Sequence, residues 1–134
     1  MTMKRILNIM LVMLIGFQFA SAPIDMDQDQ AAKVKFDKTV NDFGKVKKGT
    51  QGLKCTFTYT NTGNDMLFIS RVKKSCGCTV PVYSKEQLMP GQSATVEVGY
   101  TTTDIVGVFN KKITVFTNAI NNSVVLTIKG EVVE

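Results

Sequence analysis

The sequence predicts an all-β domain, an immunoglobulin-like antiparallel β-sandwich of about seven or eight strands. Apolar and polar residues alternate with period two from Val34 onward, and no window in that part has helical spacing. Turn-forming residues recur at intervals of about 8–12 residues. Each strand of this kind has one apolar face, so two stacked sheets are needed to bury those faces against each other.

Residues 1–22 have the pattern of a secretory signal peptide. Two basic residues precede the apolar run Ile6–Ala20, and Ala20-Ser21-Ala22 provides the small residues that a signal peptidase reads. The run is shorter than the roughly 20 residues that cross a bilayer. We therefore expect cleavage after Ala22 and a periplasmic or extracellular protein without a stable membrane span. An uncleaved anchor is the alternative, because Pro23 is a poor residue to follow a cleavage site.

The segment that follows, residues 23–33, is acidic and polar and predicts a flexible spacer. The folded domain is then expected at residues 34–134. Its formal charge is mild, since the whole chain carries only +5. The lysine clusters contain no interleaved aromatic residues of the kind that stack on bases, so we expect no nucleic-acid partner. The lysine clusters are Lys45-Val46-Lys47-Lys48, Lys73-Lys74 and Lys111-Lys112.

The clearest strand is Leu53–Thr60. Its odd-numbered residues are apolar apart from Cys55, and its even-numbered residues are polar, which predicts one buried face. The turn-forming cluster Asn61–Asp65 follows, and then a second strand, Met66–Lys73, which together predict a hairpin. That hairpin would set Cys55 opposite Arg71.

The remaining strands are predicted from shorter alternating runs. Ser93–Tyr100 follows the turn signal Pro90-Gly91, and its even-numbered residues should face inward. The other predicted strands are Val34–Phe36, Thr39–Phe43, Thr79–Val82 and a final hairpin of Val108–Thr117 with Val124–Val132.

Composition excludes several kinds of enzyme. The chain has no His, which removes serine-protease triads, Cys–His dyads and histidine metal sites. It also has no phosphate-binding loop or dinucleotide-binding glycine motif, and we expect no cofactor. An enzyme that uses carboxylates such as Asp65, Glu97 or Asp104 is disfavoured, because these acids are scattered over turns and outward strand positions.

The three cysteines leave four alternatives open. In the first, Cys55 is a small buried residue, and the Cys76-Gly77-Cys78 turn is held by its shape, by thiols or by a local bond. In the second, Cys55 forms a disulfide with Cys76 or Cys78. The third alternative is a soft-metal site on Cys76 and Cys78 as thiolates. The fourth is thiol redox chemistry, although the usual Cys-x-x-Cys spacing is missing.

Several short strings mark the chain from Phe43 to Val132. The most specific is Ser75-Cys76-Gly77-Cys78-Thr79, between two predicted strands. In their order the strings resemble the bacterial family called domain of unknown function 1573, which is common in Bacteroidetes. The strings are Phe43-Gly44, Phe57–Gly63, Leu67-Phe68-Ile69, Ser75–Thr79, Pro90-Gly91, Gly107–Lys111, Thr117-Asn118 and Lys129–Val132.

This resemblance implies an immunoglobulin-like fold related to the Hydin-like (ASH) and major-sperm-protein group. It also implies export to the periplasm or cell surface. By this resemblance Ser75, Cys76, Gly77, Cys78 and Thr79 form a family motif without an assigned role. The resemblance supplies no catalytic residue. Cys55 departs from the family, which usually has an apolar residue on that strand. We therefore expect an exported, non-enzymatic module that binds a protein or an envelope component. Soft-metal binding or thiol redox chemistry at the Cys-Gly-Cys turn is the alternative.

Overall fold

The computed structural model describes residues 30–102 and 104–134. The predicted signal peptide, its cleavage site at Ala22 and most of the predicted spacer lie outside the described residues. All regular secondary structure in the described ranges consists of β-strands, so the all-β prediction is confirmed. The strands are β1 (Val34–Phe36), β2 (Val40–Lys47), β3 (Leu53–Asn61), β4 (Ile69–Lys74), β5 (Thr79–Tyr83), β6 (Ser93–Tyr100), β7 (Gly107–Thr117) and β8 (Ser123–Val133).

The strands form two four-stranded sheets. Sheet A has the order β1-β3-β6-β5 and sheet B has the order β2-β8-β7-β4. The predicted hairpin of β7 and β8 is confirmed, with Ile113 beside Leu126 at its centre. Strands β4 and β5 therefore lie at the edges of different sheets, on the same side of the sandwich, where they also contact each other.

The predicted hairpin of β3 and β4 is wrong. Strand β3 pairs with β1 and β6 within sheet A, and β4 pairs with β7 in sheet B. Cys55 consequently lies beside Val98 and not beside Arg71. The alternation along each strand was interpreted correctly, but a strand that buries one face can be followed either by a neighbour in its own sheet or by a strand of the opposite sheet.

The buried side chain of Asn61 explains why the chain crosses between sheets here. Its Nδ2 donates to the carbonyls of Asp65 (2.7 Å) and Leu88 (3.0 Å), and its Oδ1 accepts from the N–H of Gly63 (3.0 Å). Leu67 then pairs with Leu88 through two backbone hydrogen bonds. These bonds lead the chain past the end of β3 and across to sheet B.

One strand pair departs from the predicted antiparallel arrangement. Strands β2 and β8 run parallel, with Val40 beside Thr127 and Val46 beside Val132. A parallel pair requires a long connection between its strands, and here the five strands β3 to β7 and their loops supply it. A change of register between Asp42 and Lys45 interrupts the pair.

The core fills the space between the sheets, as the alternation predicts. Phe57 and Tyr59 of β3 are buried, as are Val96, Val98 and Tyr100 of β6. Sheet B contributes a matching set of fully buried side chains, and the two layers form one contiguous core. The fully buried set from sheet B consists of Ile113, Val115, Leu126, Ile128 and Val132.

The end of the predicted spacer is docked onto the domain. The N–H of Thr62 donates to the carbonyl of Lys33 (2.9 Å), and the N–H of Ile120 donates to that of Ala32 (3.0 Å). The Ala32 side chain is buried. Residues 31–33 therefore belong to the folded unit, which begins before the predicted boundary at Val34.

Candidate functional site: the disulfide turn and the basic edge

The segment Ser75–Thr79, which the sequence resemblance predicts to be a family motif, forms the crossover from β4 in sheet B to β5 in sheet A. Cys76 and Cys78 are joined by a disulfide, with their Cα atoms 5.4 Å apart. This result selects the local bond from the pairings that the sequence left open. We call these five residues the disulfide turn, and the end of the sandwich that carries it the disulfide end.

Hydrogen bonds hold the disulfide turn to both sheets. Ser75 bonds to Lys112 of β7 twice: its N–H donates to the Lys112 carbonyl (3.0 Å), and its Oγ accepts from the Lys112 N–H (3.0 Å). On the other side, the N–H of Thr101 donates to the carbonyl of Cys78 (3.1 Å). Within the turn, the fully buried Thr79 donates its hydroxyl to the carbonyl of Cys76 (3.1 Å). Ser75 and Thr79 therefore position the turn.

Cys55 lies at the disulfide end but forms no disulfide. Leu53 of β3 and Thr79 of β5 both pair with Tyr100 of β6, which lies between them. Cys55 lies two residues further along β3. Its side chain is buried in the core and free. Burial raises the pKa of the Cys55 thiol to about 11, against the opposing effect of the Lys38 charge. Cys55 is thus a neutral, unreactive thiol at physiological pH.

The disulfide leaves Cys76 and Cys78 without the thiolates that a soft metal would need. Within residues 30–102 and 104–134, no group of three or more His, Cys, Asp or Glu side chains could hold a metal ion. A metal site on this turn would therefore require reduction of the bond and ligands from another molecule.

The acids considered for carboxylate chemistry are not brought together. Glu97 lies on the outer face of sheet A and pairs with Lys54 (3.2 Å). Asp65 lies in the loop after β3, where its Oδ1 accepts from the N–H of Met66 (2.7 Å). Asp104 is exposed in the loop between β6 and β7. The geometry offers no pair of facing carboxyl groups among these three.

A basic surface adjoins the disulfide turn. Antiparallel pairing sets Lys73 beside Thr114 and continues to the Ser75–Lys112 bonds, so two lysine clusters that are distant in sequence become neighbours. Arg71 stacks over the Phe116 ring, 4.2 Å from its centroid. Neither β4 nor β7 contains an acidic residue. We call this surface the basic edge: Arg71, Lys73, Lys74 and Lys112.

The backbone of β4 is open along the basic edge. Because the N–H of Ser75 bonds to β7, alternation directs the backbone groups of Arg71 and Lys73 toward β7 as well. The N–H and C=O groups of Val72 and Lys74 therefore point away from the sheet. Among the strands that the structure describes, they form an unpaired edge to which another extended chain could bond.

The other three sheet edges are less suited to pairing. β1 has only three residues, and β2 is interrupted by its change of register beside Gly44, where φ is 66°. In β5 the Thr101–Cys78 bond fixes the alternation so that Pro81 faces the open edge. Proline there breaks no bond with β6, but β5 then lacks one N–H donor that an incoming strand would need.

An apolar groove lies at the same end of the sandwich. Its floor includes the core residues Tyr100, Phe109 and Val132, and its volume is about 440 Å³. Ile105 and Val108 on its rim are 76% and 82% exposed. Sequence alternation did not identify this surface, because both residues lie where the loop after β6 enters β7.

Among the described residues, no helix is long and apolar enough to cross a membrane.

Solved structures of similar fold come from bacteria and from human. A protein of unknown function from Porphyromonas gingivalis W83 aligns with a TM-score of 0.66 and 16% identity, over 78% of this chain and 48% of that one. The chain thus spans about half the length of that protein. The ASH / PapD-like domain 7 of human CEP192 aligns with a TM-score of 0.64 and 9% identity, over 89% of this chain and 98% of the domain.

A third structure, the Escherichia coli chaperone DraB, aligns with a TM-score of 0.50 and 16% identity, over 75% of this chain and 55% of DraB. At these identities the similarities establish the fold alone, which is the immunoglobulin-like β-sandwich that the sequence predicted and which resembles the ASH / PapD-like domain. No curated protein matches the sequence. The profile of the family described as Protein of unknown function (DUF1573) matches residues 34–132, and the chain belongs to that family.

Proposed function

We propose that this protein is an exported, non-enzymatic binding module that takes up an extended acidic segment of another envelope protein along β4. The open backbone edge beside four cationic side chains is the observation that carries this proposal. A strand added there would gain main-chain hydrogen bonds, and the side chains of the edge would select its charge. An immunoglobulin-like fold shared with a chaperone supports a role in binding other polypeptides.

Charge complementarity determines the class of partner. Acidic residues are absent from the sequence around the basic edge, since the chain contains no Asp or Glu between Asp65 and Glu86 or between Asp104 and Glu131, and the salt bridges among residues 30–102 and 104–134 do not involve it. Its cations are exposed, so they contribute mainly to the rate and selectivity of association. A segment with alternating acidic and polar residues would set its carboxylates beside Arg71 and Lys73.

A synthetic peptide can test this binding directly. The probe is a fluorescent peptide of alternating Glu and Thr, titrated with the protein and followed by anisotropy. We expect saturable binding at low salt that weakens at least fivefold when sodium chloride is raised to about 0.5 M, where the Debye length is only a few ångströms. A peptide with Lys in place of Glu should not bind.

Two variants at Lys74 separate strand addition from charge attraction. Lys74→Gln removes one charge and should weaken binding about threefold. Lys74→Pro also removes an N–H that faces the open edge, without breaking a bond to β7, and should weaken binding at least tenfold. Equal binding by both variants would exclude main-chain pairing along β4, and equal binding of acidic and basic peptides would overturn the charge assignment.

Export is the second component of the proposal, and it depends on the sequence of residues 1–22. Intact mass of the protein recovered from a periplasmic fraction of the expressing cell would test it. We expect a mature chain that begins at Pro23. A full-length mass in the membrane fraction would instead support the uncleaved anchor.

A further inference from the structure

We infer that the Cys76–Cys78 disulfide is a site of reversible dithiol–disulfide exchange with a cysteine pair of a partner protein. The inference concerns covalent chemistry at the disulfide turn and does not depend on strand addition at β4. It rests on three features of the turn: the bond is not needed to hold it, the sulfurs are approachable, and the surrounding charge favours thiolates.

The first feature is that hydrogen bonds already fix the turn. The two Ser75–Lys112 bonds hold one end and the Thr101–Cys78 bond holds the other, while the Thr79 hydroxyl bonds to the Cys76 carbonyl. Stabilisation of the folded state by a disulfide grows with the length of the loop that it closes. The Cys76–Cys78 bond joins residues that are only two positions apart, so the loop that it closes is very short. The bond therefore restricts the unfolded chain little.

The second feature is access. Cys76 and Cys78 are each only partly buried, and Gly77 between them is exposed. Apart from its neighbours Cys76 and Cys78, a Cβ built at Gly77 would have no atom within 4 Å, so this side of the turn is open. Cys78 also packs against the core, so a partner thiolate would approach the disulfide from the exposed side of the turn.

The third feature is local positive charge. Lys73 and Lys74 immediately precede the turn, and Lys112 is bonded to Ser75 through its backbone. Nearby cations lower the pKa of cysteine thiols and stabilise thiolates. A stabilised thiolate is a better leaving group, so exchange with this disulfide should be faster and its reduced form should be favoured.

Cys55 takes no part in this chemistry. It is buried in the core, and its raised pKa keeps it protonated. Exchange is therefore confined to the two sulfurs of the disulfide turn, and the third cysteine provides no resolving thiol.

The exchange takes place in two successive thiolate attacks. A thiolate of the partner attacks one sulfur of the Cys76–Cys78 bond, which breaks, leaving a mixed disulfide and a released cysteine thiolate on the turn. The partner's second thiolate attacks the partner sulfur of the mixed disulfide and releases the other cysteine of the turn. The partner dithiol is oxidised to a disulfide by two electrons, and Cys76 and Cys78 take up those electrons and become a dithiol.

The experiment uses the full chain and a reduced peptide containing Cys-x-x-Cys as the probe. Protein and peptide are mixed, quenched with acid at intervals, alkylated and analysed by intact mass. We expect oxidation of the peptide with matching reduction of Cys76 and Cys78, at a rate at least tenfold above that of oxidised glutathione under the same conditions. Reduction should leave the circular dichroism spectrum unchanged and shift the melting temperature by less than about 5 °C.

Charge variants test the third feature. The triple variant Lys73→Gln, Lys74→Gln, Lys112→Gln should slow the exchange at least fivefold, whereas Lys35→Gln, on the opposite edge strand β1, should not change it. Cys55→Ala should also exchange at the wild-type rate. A disulfide that stays oxidised until the protein unfolds, or a melting temperature that falls by more than about 10 °C on reduction, would assign the bond a structural role and overturn the inference.

Discussion

The rings of Tyr100 and Phe109 stack with centroids 4.4 Å apart and planes inclined by 21°, and this contact joins the two sheets at the disulfide end. Tyr100 is the last residue of β6 in sheet A, and Phe109 lies near the start of β7 in sheet B. The stack forms part of the floor of the apolar groove, so packing of the core determines the shape of that end.

Gly130 makes room for this stack, and we predict that Gly130→Ala destabilises the protein by about 1–3 kcal/mol. A Cβ there would be 2.7 Å from Cζ of Phe109 and 2.9 Å from the backbone oxygen of Gly44. Urea unfolding followed by circular dichroism measures the loss. Gly99→Ala is the matched control, because its Cβ would meet atoms no closer than 3.6 Å and should change stability little. Equal stability of the two variants would contradict the packing argument.

The buried amide of Asn61 leads to a second prediction. Asn61→Ala would leave the carbonyl of Leu88 and the N–H of Gly63 without their side-chain partners, at a cost of about 2–4 kcal/mol. The control is Thr62→Ala, since Thr62 is exposed and its bond to Lys33 uses only the backbone. Thermal unfolding should show a clear drop in melting temperature for the first variant only. An unchanged melting temperature for Asn61→Ala would mean that the loop tolerates loss of the amide and would contradict the prediction.

A third prediction concerns the attachment of the N-terminal segment. A Cβ at Gly63 would overlap backbone atoms of Ala31, Ala32 and Lys33. Gly63→Ala should therefore displace residues 31–33 while the rest of the sandwich persists, because the segment lies at the edge of the fold. Hydrogen exchange by mass spectrometry should show faster exchange in peptides covering residues 30–36 and little change in β7 and β8. Unchanged exchange at that segment would refute the prediction.

Alternation within one strand could be predicted from the sequence, whereas the partners of each strand could not. The inward positions of β3 and β6 were correct because they depend only on which residues avoid water. The pairing of β3 with β4 was wrong because the turn after β3 depends on Asn61, whose partners include the distant Leu88. Only a long-range contact distinguishes a hairpin from a crossover at this point.

The candidate site was predicted in part for the same reason. The string Ser75–Thr79 is distinctive in sequence, and its place at one end of the sandwich follows from the strand order. The roles of Ser75 and Thr79 were not predictable, because they require β7 and the local turn geometry. The basic edge was also missed: Lys73 and Lys112 become neighbours only when β4 pairs with β7.

The free thiol of Cys55 leads to a prediction about pH. Burial raises its pKa from 9.0 to about 11, so the folded protein keeps a proton that the unfolded chain releases between those values. The contribution to stability is therefore fully present below about pH 9 and is lost as pH rises through 11; linkage gives it a size of about 3 kcal/mol.

Comparison of wild type with Cys55→Ala isolates this contribution. Burial also raises the pKa values of Tyr59 and Tyr100, but both proteins carry those tyrosines, so their effect cancels in the difference. The variant should be less stable by a nearly constant amount up to about pH 9, since a small cavity replaces the thiol. Above that pH the gap in the free energy of unfolding should narrow as the wild type loses its advantage. A gap that stays constant from about pH 8 to pH 11 in urea titrations would show that the Cys55 thiol ionises normally and is reached by water.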